Sequence, residues 1–326
     1  MIIVQTPLRI SFLGGGTDFE DFYKNHGGSV LSSAINKYVF IIVSERFDDM
    51  VYVNYSKKEI VDSVDKIQHE LVREAMRKAG VSSSIEITTL SDVPSDGTGL
   101  GTSSSLTVGL LQALYTYKGE LRTTDSLAQE ACQIEIDTLG KPIGKQDQYI
   151  AAYGNLRFIN FNNGSVAVDN VELTPDDKRK LSRNLLLFYT GIKRNSKRVL
   201  EEQKSTINQR IKALCEMRDL ACEAKNAVLS GNFDELGNLM DHGWKLKKEL
   251  TCKISCNGID EIYEAARKAG ALGGKITGSG GGGFLLLYCP EENKNKVREA
   301  LIGLKELPFD LEPDGSKVIL NYRRTP

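Results

Sequence analysis

The stretch Pro94-Ser95-Asp96-Gly97-Thr98-Gly99-Leu100-Gly101-Thr102-Ser103-Ser104-Ser105 decides how the rest of this 326-residue chain is read. It sets three glycines on alternate positions, then four hydroxyl residues, then an apolar helical pattern in Leu106, Leu110, Ala113 and Leu114. Glycine lets a backbone approach a ligand closely and adopt positive φ. Hydroxyl residues just ahead of a helix leave backbone N–H groups free at its N-terminus, where the helix dipole adds positive potential. An anion is held there without a lysine, and a nucleotide phosphate is the simplest such anion. The plainer alternative is a glycine loop and a serine-capped helix with no ligand.

Two common nucleotide motifs do not fit. A P-loop needs Lys-Ser or Lys-Thr after its last glycine, and here Gly101 is followed by Thr102 and Ser103. A dinucleotide fold carries its glycines in the first strand–helix unit, with an acidic residue further on. This loop lies far into the chain with a different spacing, which speaks against a nicotinamide oxidoreductase.

Composition narrows the rest. A hydrophobic content of 40%, a charged content of 26% and a net charge of −1 describe an ordinary globular protein with no general affinity for nucleic acid. The chain is long enough for two domains. No apolar run approaches the length that crosses a bilayer; Tyr38 to Val43 is typical and reads as a buried strand. The first residues run straight into a strand pattern, so no signal segment or membrane association is expected. The 6 cysteines form no C-x-x-C pair and are expected as reduced thiols in a cytoplasmic protein. The 3 histidines are far apart and offer no zinc set, which leaves Mg²⁺ on oxygen ligands as the expected metal.

The loop needs companions, and two further glycine clusters supply them. In Leu8-Arg9-Ile10-Ser11-Phe12, strand alternation sends Leu8, Ile10 and Phe12 to one face, with Arg9 and Ser11 on the other. That strand ends in Gly14-Gly15-Gly16-Thr17-Asp18, which delivers an aspartate beside the arginine. The third cluster, Gly273-Gly274-Lys275-Ile276-Thr277-Gly278-Ser279-Gly280-Gly281-Gly282-Gly283, precedes the strand Phe284 to Cys289. So many glycines are costly in unfolded-chain entropy. Close approach to a ligand, or to the other glycine loops, is the best reason for them. Between the clusters, a helix after Thr124 carries Glu130, Glu135 and Asp137, and a Gly-Pro-Gly bend leads to Lys145-Gln146-Asp147-Gln148. Taken singly, such acidic residues are usually solvated surface. Lys197 to Leu229 reads as one long helix, Phe233 to Glu249 as a second, and a final strand near Val318–Tyr322 as the closing piece of the C-terminal unit.

Taken in this order, the three clusters resemble the motifs of the GHMP kinase superfamily, which includes galactokinase, homoserine kinase and mevalonate kinase. Pro7 to Asp18, Pro94 to Ser105 and Lys275 to Gly283 carry the resemblance, which spans essentially the whole chain. Gly14-Gly15-Gly16-Thr17-Asp18, Gly144-Lys145-Gln146-Asp147-Gln148 and Tyr189-Thr190-Gly191-Ile192-Lys193-Arg194 look most like the D-glycero-D-manno-heptose 7-phosphate kinases. Fucokinase- and galactokinase-like proteins are near neighbours. Galactokinases have Gly-Glu-His where this chain has Gly-Gly-Gly, a departure that argues against galactose.

The resemblance implies a two-domain α/β (α+β) fold: an N-terminal ribosomal-S5-like domain, drawn at 1–183, and a C-terminal ferredoxin-like domain, drawn at 184–326. It implies an ATP-dependent kinase acting on a sugar phosphate, with ATP and Mg²⁺ as cofactors and a homodimer as one allowed assembly. Asp147 matches the catalytic aspartate and Arg9 the cation beside it. Pro94, Gly97, Gly99, Leu100, Gly101, Thr102, Ser103, Ser104 and Ser105 match the ATP-phosphate loop, and Ser104 and Glu135 the Mg²⁺ ligands. Gly15, Gly16, Thr17, Asp18, Gly280 and Gly281 are expected on the acceptor side. Lys193 and Arg194 are the expected partners of the acceptor's own phosphate. A catalytically silent sugar sensor is the alternative from another class, and the presence of both Asp147 and Glu135 speaks against it.

Overall fold

The computed structural model describes residues 1–94, 97–192 and 196–322. Its first sheet is built on a long antiparallel pair, β1 (Ile2–Leu13) and β2 (Gly28–Glu45), joined through the first glycine turn and the short helix α1 (Glu20–His26). β2 is long enough to serve two neighbours. Its first half pairs with β6 (Leu156–Asn162) and its second half with β5 (Ile85–Ser91). β3 (Val51–Asn54) runs parallel to β5, β4 (Lys58–Val61) pairs with β3, and β7 (Ser165–Asn170) pairs with β6. The expected turn at Asn162-Asn163-Gly164 is the β6–β7 hairpin, where Gly164 has φ +84°.

Helices α2 (Glu70–Ala79), α3 (Thr102–Lys118), α4 (Thr124–Cys132) and α5 (Gln146–Tyr153) accompany this sheet. α3 lies on β1 and β2, with Val108, Leu110, Leu111 and Leu114 fully buried. α4 starts on a side-chain cap, because Thr123 accepts a hydrogen bond from the Ser126 N–H at 3.1 Å. The helix then continues without interruption into a π-helical turn, Gln133–Thr138. Such turns insert a residue into the helical count and recur at functional sites. This one carries Glu135 inward.

After α6 (Pro175–Arg183), capped by Thr174 with Pro175 at its start, a second sheet begins. Its strand order is β11 (Lys305–Glu306), β8 (Leu185–Tyr189), β10 (Phe284–Tyr288) and β9 (Gly273–Ile276). The helix expected over Lys197 to Leu229 is in fact two, α7 (Ser196–Ser205) and α8 (Ile211–Leu229), with a 3₁₀ turn between them. Thr206 caps the break by donating its hydroxyl to the Glu202 and Gln203 carbonyls. α9 (Phe233–Leu250) packs on α8 and β9, and holds Trp244 fully in the core, as packing rather than as a ligand platform. α10 (Asn257–Lys268) and α11 (Lys294–Ala300) complete the helices.

The last strand departs from expectation. β12 (Lys317–Asn321) does not close the C-terminal unit; it crosses back and pairs antiparallel with β1, Val4 opposite Val318. The first sheet therefore contains both the earliest and the latest strands of the described chain.

Candidate active site

Alternation along β1 behaves as the sequence predicts, yet both of its faces are covered. Leu8, Ile10 and Phe12 fill the core, while Arg9 and Ser11 on the other face are also buried and line a cleft. Arg9 does three things there. Its backbone N–H donates to the Leu100 carbonyl at 3.0 Å, and Nη1 to the Gly99 carbonyl at 2.5 Å, which fixes the central loop. Nε and Nη2 donate to the two Asp147 oxygens, each at 2.7 Å, a bidentate pair. The arginine side chain is 5% exposed and the aspartate 23%, so the cation sits beneath and the carboxylate faces the cleft.

The central loop and the third glycine cluster lie backbone against backbone. A Cβ on Gly99 would stand 2.4 Å from the Thr277 carbonyl oxygen, and one on Gly278 would stand 2.7 Å from the Gly99 Cα. Thr277 Oγ1 ties the layers together by donating to the Thr98 carbonyl at 3.0 Å. Close mutual approach of the loops is thus one reason for the glycines. The loop ends at Gly101, which adopts φ +78° ahead of α3 with no side-chain cap. α3 begins at Thr102, earlier than its apolar pattern suggested, so the hydroxyl residues form its first turn.

That first turn faces a cavity of about 380 Å³ lined by Gly97, Gly99, Gly101, Thr102, Ser103, Ser104, Glu135, Asp147 and Arg9, with Gly278 to Gly280 opposite. Free N–H groups, a helix N-terminus and the unpaired buried hydroxyl of Thr102 suit a polyphosphate. Glu135 is 0% exposed at the cavity wall. It accepts hydroxyl hydrogen bonds from Thr107 at 2.7 Å and Ser104 at 3.2 Å, and burial pushes its carboxyl above the ordinary range. A buried carboxylate among hydroxyls, with cationic Lys141 as its nearest opposing influence, is a hard-oxygen donor set of the kind Mg²⁺ takes when phosphates supply further ligands. No cluster of three His, Cys, Asp or Glu that could hold a metal by itself occurs among the described residues.

A smaller cavity, about 80 Å³, adjoins the first across the same Arg9–Asp147 pair. Gly15, Gly16 and Asp18 line it, together with Ser11, Gln146, Gln203, Lys247 and Lys275. Asp18 accepts from the N–H groups of Gly16 at 2.9 Å and Gln146 at 3.2 Å, and from Gln146 Nε2 at 3.1 Å. Burial still raises its pKa. Lys247 donates to the Gly278 carbonyl at 2.5 Å, and burial, then repulsion from Arg9, lowers it to about 8. Burial, then the neighbouring Lys247 and Arg9, hold Lys275 well below the ordinary lysine value.

Not every expected residue reaches these cavities. Thr17 spends its hydroxyl on the Gly14 and Ser29 carbonyls, holding the first glycine turn. Ser105 donates to the Pro7 carbonyl at 2.7 Å and is turned toward β1. The Leu100 side chain is in the core, Pro94 is on the surface, and Gly281 uses its N–H on the Ile254 carbonyl. Lys193 and Arg194 lie outside the described residues. Thr107, Lys247, Lys275 and Gln203 were not anticipated as site residues. Lys247 had a legible signal: Leu236, Met240, Gly243, Lys247 and Leu250 form a four-three stripe, all buried, in which lysine is the odd member.

Gly101 gives the first test. Valine there would force a β-branched residue to φ +78° and set a Cβ 3.1 Å from Arg9 Cγ and 3.4 Å from Asp147 Oδ2. Gly101→Val is expected to weaken nucleotide binding at least tenfold, on the order of the 1–2 kcal/mol that left-handed strain costs. A titration with a fluorescent nucleotide that overlays wild type would remove the loop from nucleotide binding.

Comparison with known proteins agrees with this architecture. Residues 56–155 match the family model "GHMP kinases N terminal domain", and residues 196–304 match "GHMP kinases C terminal". The chain is 30% identical to the D-glycero-alpha-D-manno-heptose 7-phosphate kinase of Campylobacter jejuni, over 92% of this chain and 93% of that one. It is 25% identical to the galactokinase of Thermotoga maritima, over 92% of each. The crystal structure of a D-glycero-D-manno-heptose 1-phosphate kinase from Bacteroides thetaiotaomicron superposes with a TM-score of 0.83 at 25% identity, covering 99% of this chain and 100% of that one. With two cavities meeting at one arginine–aspartate pair and both halves matched, the chain belongs to the GHMP kinase family, a sugar kinase that takes its phosphoryl group from ATP.

Proposed function

We propose that this kinase phosphorylates the anomeric hydroxyl of D-glycero-D-manno-heptose 7-phosphate, giving the 1,7-bisphosphate on the way to nucleotide-activated heptose for bacterial surface glycans. The observation that carries the reading is that Arg9 and Asp147 line both cavities at once. They stand where a group leaving the larger cavity would enter the smaller. The choice of heptose phosphate rests on the Campylobacter jejuni relative and on Gly15-Gly16.

Phosphoryl transfer needs positioning and charge neutralisation more than covalent chemistry. The first turn of α3 and the Gly97–Gly101 backbone cradle the triphosphate. Ser104 and Glu135 would hold Mg²⁺, which would supply charge neutralisation for the phosphate oxygens. Asp147 accepts the proton of the attacking hydroxyl, and the bidentate pair with Arg9 fixes the aim of its carboxylate. Asp18, fixed by three N–H donors, accepts hydrogen bonds from sugar hydroxyls.

ADP release measured over a panel of heptose 7-phosphate, free heptose, fucose and galactose tests the proposal. Heptose 7-phosphate is expected to exceed each free sugar by at least about tenfold in kcat/KM, the worth of one charged hydrogen bond. A preference for fucose or galactose would overturn the acceptor assignment. No turnover with any acceptor, despite nucleotide binding, would favour the silent sensor.

A further inference from the structure

We infer that Lys275 and Lys247, with Ser11 and Gln203, form the pocket that grips the acceptor's own phosphate monoester, and that Gly15-Gly16 are small in order to open it. This rests on the sugar-phosphate kinase reading of the same site. It moves the phosphate contact from Lys193-Arg194, where the sequence suggested it, to the floor of the smaller cavity.

Charge is the first argument. Three basic side chains, Arg9, Lys247 and Lys275, line that cavity against two carboxyl groups, Asp18 and Asp147. Arg9 takes both Asp147 oxygens, and Asp18 is held by N–H groups of Gly16 and Gln146. Among the described residues no carboxylate lies within 4.0 Å of either lysine nitrogen. Lys247 has a carbonyl partner, while Nζ of Lys275, a residue 5% exposed, has no hydrogen bond with the described residues. A lysine head buried without a counter-charge is strongly unfavourable as ammonium and is driven toward its neutral amine until an anion arrives. A ligand that brings the counter-charge accounts for its presence.

Convergence is the second. A Cβ on Gly15 would stand 3.4 Å from Gln146 Nε2, 3.6 Å from Ser11 Oγ and 3.8 Å from Lys275 Nζ. One on Gly16 would stand 2.6 Å from Gln203 Nε2. Polar groups on four separate elements therefore close on the space that the two missing side chains leave. Ser11 Oγ and Gln146 Oε1 are buried with no hydrogen-bond partner among the described residues. The cavity, about 80 Å³, shares Arg9, Ile143, Asp147 and Leu200 with the larger one, so a phosphate at its lysine end leaves the sugar extending toward the Arg9–Asp147 pair. The donors match what a dianionic, oxygen-rich group needs.

The test has two arms. In the first, with a non-hydrolysable ATP analogue saturating the larger cavity, inorganic phosphate is expected to raise the Tm of wild type saturably. Lys275→Met and Lys247→Met are expected to lose that rise. Gly15→Ala, which keeps every charge but fills the pocket with a methyl, is expected to reduce it. Because Lys275→Met replaces a buried amine that has no side-chain partner among the described residues with an apolar chain of similar length, its own Tm is expected at or above wild type, so a folding failure would not mimic the result. In the second arm, Lys275→Met is expected to raise KM for heptose 7-phosphate about ten- to a hundredfold, with kcat within about threefold. KM for free heptose is expected to stay put.

Equal loss on both acceptors, loss on neither, or an Arg194→Ala variant that does what Lys275→Met does not, would overturn the assignment. If no heptose is turned over, the phosphate-dependent Tm still reads the pocket. Its persistence would retain the phosphate site and discard only the heptose. Absence of any phosphate effect in wild type would discard the site itself.

Discussion

Asp147→Asn is expected to lower kcat by about 10²–10⁴-fold, the usual worth of a positioned general base. Nucleotide affinity is expected to change little. The geometry explains why so small a change is so costly. Both carboxylate oxygens accept from Arg9, at 2.7 Å each. An amide offers one acceptor and one donor, so one of those bonds becomes a donor-to-donor contact, and the charge that would draw the proton is gone. The guanidinium also holds the Gly99 carbonyl, so measuring nucleotide Kd alongside kcat separates a disturbed loop from a missing base. A loose transition state asks little proton transfer of the protein early on, so part of the fall reports positioning. A variant that keeps most of its turnover would reduce Asp147 to a structural partner of Arg9.

Glu135→Gln comes next in size. The Mg²⁺ concentration for half-maximal rate is expected to rise by at least about tenfold, since a charged ligand to a hard cation is replaced by a neutral one. Stability should move the other way. Burial raises the folded-state pKa of Glu135, so the unfolded chain releases this proton first as pH rises. The resulting penalty is absent well below the unfolded carboxyl pKa and fully present once pH exceeds the folded value. At pH 8 without metal, Glu135→Gln is therefore expected to melt at or above wild type while working less well. A magnesium titration overlaying wild type, or a clear loss of Tm in metal-free buffer, would remove Glu135 from the metal site.

What the sequence made legible follows from how local each cause is. The glycine loops could be read because their composition is extreme, and the Arg9 strand because alternation is a property of neighbouring residues. Glu135 could be placed through resemblance, but its inward aim could not, because the π-turn that supplies it has no composition of its own. The break at Ser205–Arg210 escaped the apolar stripe because that stripe continues on both sides. Thr17 and Ser105 look like ligands in one dimension; only the fold reveals the Ser29 and Pro7 carbonyls that occupy them. Lys247 and Lys275 were missed for the converse reason. Lys247 sits in Lys245-Leu246-Lys247-Lys248, which reads as a solvated helix end unless the stripe is counted with lysine included.

The return of β12 to β1 bears on how the molecule is assembled and how it can move. Until residues 317–321 arrive, the early part of β1 has an open hydrogen-bonding edge, which is a template for unwanted pairing. Contacts between such distant parts of a chain form late and slowly. During synthesis the nucleotide-binding half therefore waits, incomplete, for the last strand. Once that strand is in place, the second sheet and its helices are joined to the first at both ends of their own stretch of chain, and α8 packs directly on β1 and β2. Any separation of the two sheets has to break that packing as well as move two chain connections.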